Sequence, residues 1–307
     1  MVKILDCTLR DGGHYTDWHF SHNLVMDYLN AMQALPVDTI ELGYRLLNVS
    51  HECGPYAYTT EEHIQSLGIM NKSKFAVMID AIGIETNTSL YTLLKRRDES
   101  VIDMIRMAVD ARKALNYGYF LEQIQDLGYK ISLNLMKIHS LSLEELTYFL
   151  DQLRNHKFDV LYIADSYGSM NTQSIYEIFS LVKEKIDKPI GFHAHDNRGF
   201  SLINSLLAIQ YGAEYIDTTV YGMGRGAGNL KLESFLLETS FEESLNFNCK
   251  DLLYLIENHF KPLHLKYGWG QNFFYHICGL YQKSPFAVHE AIKDKKPKDL
   301  IEDFFKQ

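Results

Sequence analysis

His193 and His195 stand one residue apart in the run HAHDN. On an extended strand, side chains two apart share a face, so both imidazoles converge and can ligate one divalent ion. Asp11, within DCTLRDGGH at 6–14, offers a carboxylate as the third ligand. Two histidines and one carboxylate leave positions open for water or substrate, which is the pattern of a catalytic rather than a structural site. A hydrogen-bonded pair of histidines at a barrel mouth is the other reading of the same spacing. Arg10, next to Asp11, sets a guanidinium against whatever the ion binds. Glu41, in IELGY at 40–44, is the carboxylate able to orient it. His14, on the loop expected after the first strand, is suited to moving protons near neutral pH. The run GMGRGAGN at 222–229 alternates glycines ahead of a helix. A dinucleotide fingerprint belongs after the first strand of its unit, whereas this run follows the last. It reads instead as backbone that approaches closely enough for Asn229 to reach the metal centre, with a phosphate nest as the alternative.

Such residues do chemistry only if the chain gathers them. Short β-rich apolar runs begin near Lys3, Asp38, Lys74, Val101, Lys130, Asp159, Lys188 and Glu214, a recurrence of about one βαβ unit. Between most of them, apolar residues recur at helical spacing, as in SHNLVMDYLNAMQAL and TQSIYEIFSLVKEKI. An open doubly wound sheet fits this alternation, but eight near-even repeats favour a closed (β/α)8 TIM barrel over residues 1–240. After that only helical pattern continues, as in KDLLYLIENHF, NFFYHICGLY and PFAVHEAI. Residues 241–307 are therefore read as a C-terminal helical extension packed on the barrel. In a barrel, residues at the C-terminal strand ends meet on one face, and the segments singled out above all fall there, with Asn134 and Asp165-Ser166 from the fifth and sixth strands.

Composition sets the bounds. The 307 residues are 46% hydrophobic and 22% charged, an ordinary globular balance able to bury a core without metal or disulfide staples. A net charge of −9 speaks against nucleic acid as the main partner. No apolar run is long enough to span a membrane, so no membrane association is expected. Four cysteines without a C-x-x-C pair read as reduced thiols of a cytoplasmic protein.

Together DCTLRDGGH, IELGY, HAHDN and GMGRGAGN resemble the four signature segments of the DRE-TIM metallolyases, in order over residues 1 to about 240. This superfamily holds HMG-CoA lyase, the isopropylmalate and homocitrate synthases, and 4-hydroxy-2-oxovalerate aldolase. The resemblance implies that Asp11, His193 and His195 bind a divalent metal, with Asn229 as a possible further ligand. Mn2+ comes first, with Mg2+, Co2+ and Zn2+ as alternatives. RDGGH is similar to the aldolase RDGxH, which gives His14 the proton transfer. IADSYG is similar to the aldolase DSxG, which places Ser166 at the substrate carboxylate. Where those aldolases carry a C-terminal tyrosine, this chain aligns Gly270, with Tyr267 and Trp269 nearby. Its tail is shorter than the aldolase region that docks an aldehyde dehydrogenase, so that partner is not expected, whereas a homodimer through the tail is.

The implied function is a class II aldolase or lyase acting on a small 2-oxo acid and an aldehyde through a pyruvate enolate. Arg10 and His14 are its catalytic groups, with Glu41 in support. Two rivals stand beside it. One is an acyl-CoA-dependent Claisen synthase or lyase, which RDGGH disfavours. The other is a metal-binding barrel without turnover.

Overall fold

The computed structural model of the protein describes residues 2–46, 52–68, 73–84, 88–240, 249–284 and 288. Eight parallel strands close on themselves in sequence order: β1 (Lys3–Asp6), β2 (Thr39–Tyr44), β3 (Lys74–Asp80), β4 (Met104–Asp110), β5 (Lys130–Met136), β6 (Val160–Asp165), β7 (Ile190–Ala194) and β8 (Ala213–Thr218), with β1 pairing β8. This is the (β/α)8 barrel that the repeat predicts. Strands covered on both faces are apolar nearly throughout, and β2 and β6 are buried along their whole length. The helices between them are started by local signals. Ser21 accepts from the Leu24 amide at 3.3 Å. Ser142 and Glu145 form a reciprocal capping box, with bonds of 3.1 and 2.7 Å.

One element departs from the expectation. The segment after β1 is a helix, α1 (Thr8–Thr16), so His14 is presented from a helix and not from a loop. Two glycines in its middle weaken helix propensity by about 1 kcal/mol each relative to alanine, which is why pattern alone reads a loop there. Packing overrides this. The Trp18 indole lies so close over Gly13 that a Cβ there would sit 2.0 Å from the ring. Trp18 Nε1 also donates to the Arg10 carbonyl at 2.9 Å.

Asp6 ties β1 to its neighbours. It accepts from the Thr8 amide (3.0 Å), the Tyr28 hydroxyl (2.6 Å) on α2 (His22–Ala34), and the Thr218 hydroxyl (3.3 Å). Burial raises its carboxyl to about 6 despite these donors. The folded chain therefore holds a proton that the unfolded chain releases near 3.8, so this group lowers stability as pH rises from about 4 to 6. The full effect is about 3 kcal/mol at most. Thermal unfolding against pH should show a shallower fall across that window in Asp6→Asn than in the parent; identical slopes would refute the assignment.

Beyond the barrel, the described tail is helical at Cys249–Leu255, Lys261–Tyr267 and Phe273–Leu280, with one π-turn at Ile256–Phe260. It docks on α2, where His259 Nε2 meets Asp27 Oδ2 at 2.8 Å. Residues 241–248, where the extension is expected to begin, and most of PFAVHEAI lie outside the described residues. Among the described residues no helix is long and apolar enough to cross a membrane.

Candidate functional site

At the C-terminal ends of the strands lies a cavity of about 440 Å³ whose lining includes Arg10, Asp11, His14, Ser166, His193 and His195. Asp11 comes from α1 and the histidines from the end of β7, where alternation turns both rings inward around Ala194. The ligand atoms of Asp11, His193 and His195 lie within 4.8 Å of one another, and all three residues are buried. Asn229 arrives by backbone pairing: it bridges to His195 in antiparallel sense, and the Leu230 amide donates to the Ala194 carbonyl at 3.1 Å. Its Nδ2 donates to Asp11 Oδ2 at 2.5 Å. Gly224 permits this closeness, since a Cβ there would come within 2.4 Å of the Asn229 amide and 2.8 Å of Asp11 Oδ2. The fourth sequence-derived residue thus joins the other three.

The donor set fits a divalent cation. Asn229 Oδ1 and His195 Nδ1 are buried with no hydrogen-bond partner among the described residues. Polar atoms are rarely buried unpaired unless something else satisfies them. Burial acts to raise the Asp11 carboxyl, but the Arg10 guanidinium, with three imidazoles behind it, outweighs burial and holds it well below the usual carboxylate range. Burial, against the pull of Asp11, drives His195 well below the usual imidazole range. Asp11 as anion and His195 as neutral ring are the forms that ligate metal.

Behind these residues runs a closed ring of buried charge. Arg10 donates from Nη1 to Asp11 (2.9 Å) and from Nε to Glu41 Oε2 (2.8 Å). The same Glu41 oxygen accepts from Arg106 Nη1 (3.0 Å), whose Nη2 donates to Asp217 Oδ2 (2.6 Å). Asp217 Oδ2 meets His193 Nδ1 at 2.9 Å, leaving His193 Nε2 facing Asp11 Oδ2 at 3.9 Å. Fixing one ring nitrogen on a carboxylate sets the orientation and basicity of the other as a ligand. The Arg10–Glu41 pair matches the sequence reading. Arg106 and Asp217 do not figure in it, although a buried-pattern strand that carries a charge within it, in MIRMAVD and AEYIDT, is the signal that could have found them. Arg106 is fully buried, over the Tyr162 ring at 4.4 Å.

His14 lies 3.9 Å from Asp11 Oδ1, edge-on to Trp18 with centroids 4.9 Å apart. Burial pushes its imidazole down to about 4, so it is neutral at pH 7 and able to accept a proton. The Ser166 hydroxyl oxygen accepts from the Lys137 amide at 2.9 Å. Tyr267 and Trp269 do not reach the cavity; their rings lie about 6 Å from Tyr15. Among its described residues the tail contributes Ser284 instead.

Comparison with known proteins places this geometry. The HMGL-like family model matches residues 1–248. The 4-hydroxy-2-oxovalerate aldolase of Geobacillus genomosp. 3 is 31% identical over 241 residues, 76% of this chain and 68% of that protein. The oxaloacetate decarboxylase of Mycobacterium tuberculosis is 26% identical over 233 residues, 75% of this chain and 67% of its own. Among solved structures, the N-terminal domain of a proposed aldolase from Bacteroides vulgatus superposes with a TM-score of 0.87 at 33% identity, covering 95% of this chain and 96% of that one. The HMG-CoA lyase of Bacillus subtilis shares the fold, at a TM-score of 0.68 and 16% identity over 87% of this chain and 94% of that one. The chain belongs to the HMGL-like family, among the carbon–carbon lyases of the DRE-TIM superfamily and on their aldolase branch.

Proposed function

We propose that the protein is a divalent-metal-dependent aldolase that makes or breaks the C3–C4 bond of a 4-hydroxy-2-oxo acid through a pyruvate enolate. The observation carrying this reading is the convergence of Asp11, His193 and His195 beside an Arg10 already anchored on Asp11 and Glu41. Asp11, His193 and His195 hold the ion, Mn2+ before Mg2+, Co2+ or Zn2+, with the unpaired Asn229 Oδ1 as a further ligand. When bound, it polarises the 2-oxo carbonyl as a Lewis acid. In the cleavage direction His14 takes the proton from the 4-hydroxyl. The C3–C4 bond then breaks, its electron pair passes into the C2–C3 bond, and the aldehyde departs. Arg10 stabilises the charge that develops on the enolate oxygen with a guanidinium N–H that neither Asp11 nor Glu41 takes. Ser166 donates its hydroxyl to the substrate carboxylate. Protonation at C3 of the enolate completes pyruvate. The barrel over 1–240 carries these groups, and the tail over 241–307 is the surface for a homodimer in the cytoplasm.

Pyruvate incubated with the Mn2+-loaded protein in D2O should lose its methyl proton signal, and Asp11→Ala should abolish that loss. Exchange no faster than with Mn2+ alone would remove the enolate from the reading. Release of free thiol from acetyl-CoA with a 2-oxo acid would replace it with Claisen chemistry.

A further inference from the structure

The second strand turns a side chain into the cavity that ordinary alternation would turn away. Along β3, Ala76 and Met78 are two apart and share a face, and Met78 lines the cavity. Their partners on β2 are Glu41 and Tyr44, which are three apart, because the register slips between Glu41 and Gly43. Leu42 is the extra residue of a β-bulge, rare between parallel strands and a device that re-aims side chains beside active sites. Without the bulge, Gly43 would share the inner face with Glu41. Gly43 instead backs onto the turn Pro55–Ala57, so closely that a Cβ would sit 2.1 Å from the Tyr56 carbonyl oxygen. One strand thereby supplies two inward groups: the Glu41 carboxylate in the ring of charge and the Tyr44 phenol at the cavity.

Tyr44 is held by groups already assigned to the chemistry. Its ring stands edge-on to His14 with centroids 6.1 Å apart and edge-on to Trp18 at 5.6 Å, while the Arg10 guanidinium carbon lies 5.8 Å from its centre. The residue is 8% exposed, yet its hydroxyl makes no hydrogen bond among the described residues and its oxygen is still reached by solvent. A nearly buried phenol usually finds a partner. Here the cavity is the open side, so the partner is whatever fills it. Burial raises this phenol to about 12 against the pull of Arg10, so at pH 7 it keeps its proton and donates. His14, on the same wall, is neutral and accepts. A donor and an acceptor side by side suit one substrate oxygen that is a hydroxyl in one direction of the reaction and a carbonyl in the other.

We infer that Tyr44 is a catalytic residue whose hydroxyl donates a hydrogen bond to the oxygen on C4 of the substrate. In cleavage, His14 removes the proton from that oxygen. Tyr44 steadies the negative charge gathering there until the C3–C4 bond has broken and the oxygen belongs to the aldehyde carbonyl. In condensation the same hydrogen bond polarises the aldehyde, and the proton on His14 passes to the new alkoxide. Tyr44 keeps its own proton throughout, so no further donor or co-reactant is needed. The inference rests on the aldolase reading and deepens it by assigning the aldehyde end of the site.

Tyr44→Phe removes only the hydroxyl and keeps the ring against His14 and Trp18. The Mn2+-loaded protein is given 4-hydroxy-2-oxovalerate and 4-hydroxy-2-oxoglutarate. The variant should lower kcat for cleavage by about 10- to 100-fold with little change in KM, the scale of one hydrogen bond to developing charge. Pyruvate ends at C3, so its exchange in D2O should match that of the parent. Mn2+ affinity, read from the EPR signal of the free ion, should also match, and thermal unfolding checks that the variant folds. Cleavage at the parental rate overturns the inference. So does a loss of exchange or of Mn2+ affinity in step with cleavage, which would put the phenol at the metal centre or in the packing. A parent that exchanges pyruvate but cleaves neither acid overturns this inference alone, whereas a parent without exchange sinks the aldolase reading and the inference with it.

Discussion

Arg10→Ala should lower kcat by about 100- to 1,000-fold while KM for the 4-hydroxy-2-oxo acid moves only a few-fold, the loss typical of removing one donor from a developing oxyanion. The split follows from the proposed roles: the ion and Ser166 hold substrate, whereas Arg10 answers charge that appears only as the bond breaks. The fold should survive the change, because Glu41 keeps Arg106 at 3.0 Å as its counter-charge. Arg10→Lys should not restore activity. An ammonium is a single point of charge and lacks the planar fork that reaches Asp11 and Glu41 from separate nitrogens while turning another N–H to the cavity. Steady-state kinetics of both variants decide it; a kcat within a few-fold of the parent in Arg10→Ala would end the assigned role.

The largest effect on stability is expected at Arg106. Replacing it with Met leaves Glu41 to Arg10 and strands Asp217 with only His193, in a region fully removed from water. Breaking a buried ion network by removing one partner costs about 3–5 kcal/mol. The burial that raises the Asp217 carboxyl is outweighed chiefly by Arg106, so without it Asp217 takes up a proton more readily and orients His193 less firmly. Arg106→Met should therefore shift the urea midpoint sharply downward and weaken Mn2+ binding together. Adding Asp217→Asn should recover part of the stability and none of the metal affinity. A loss below about 1 kcal/mol in the single variant would mean that the ring is not what holds the barrel interior together.

The barrel is legible in the sequence because each strand is an apolar run of its own and the recurrence is nearly even; all eight begin within three residues of where the pattern places them. Asp11, His193, His195 and Asn229 are legible as a cluster because their types fall at strand ends that a barrel brings together, and Glu41 is legible as the partner of Arg10. What the pattern misreads is physical. The helix Thr8–Thr16 is held by Trp18 against Gly13 and not by its own propensity. Arg106 and Asp217 escape because their meaning lies in a contact between strands 111 positions apart, which no local window contains.

The ring of charge also bears on how the chain is made. Its bonds join residues 31, 65 and 111 positions apart, and its last contributor is Asp217 on the eighth strand. Emerging from the ribosome, the chain presents Arg106 long before Asp217 exists. Every nascent form that contains Arg106 but stops short of Asp217 holds that guanidinium with one carboxylate and lacks the other, and His193 and His195 enter only with β7. Closure of the barrel and completion of the metal site are thus nearly one event at the end of synthesis. Until β8 is in place the sheet stays open with a charged interior, and its edge strands wait on the last one for their partner.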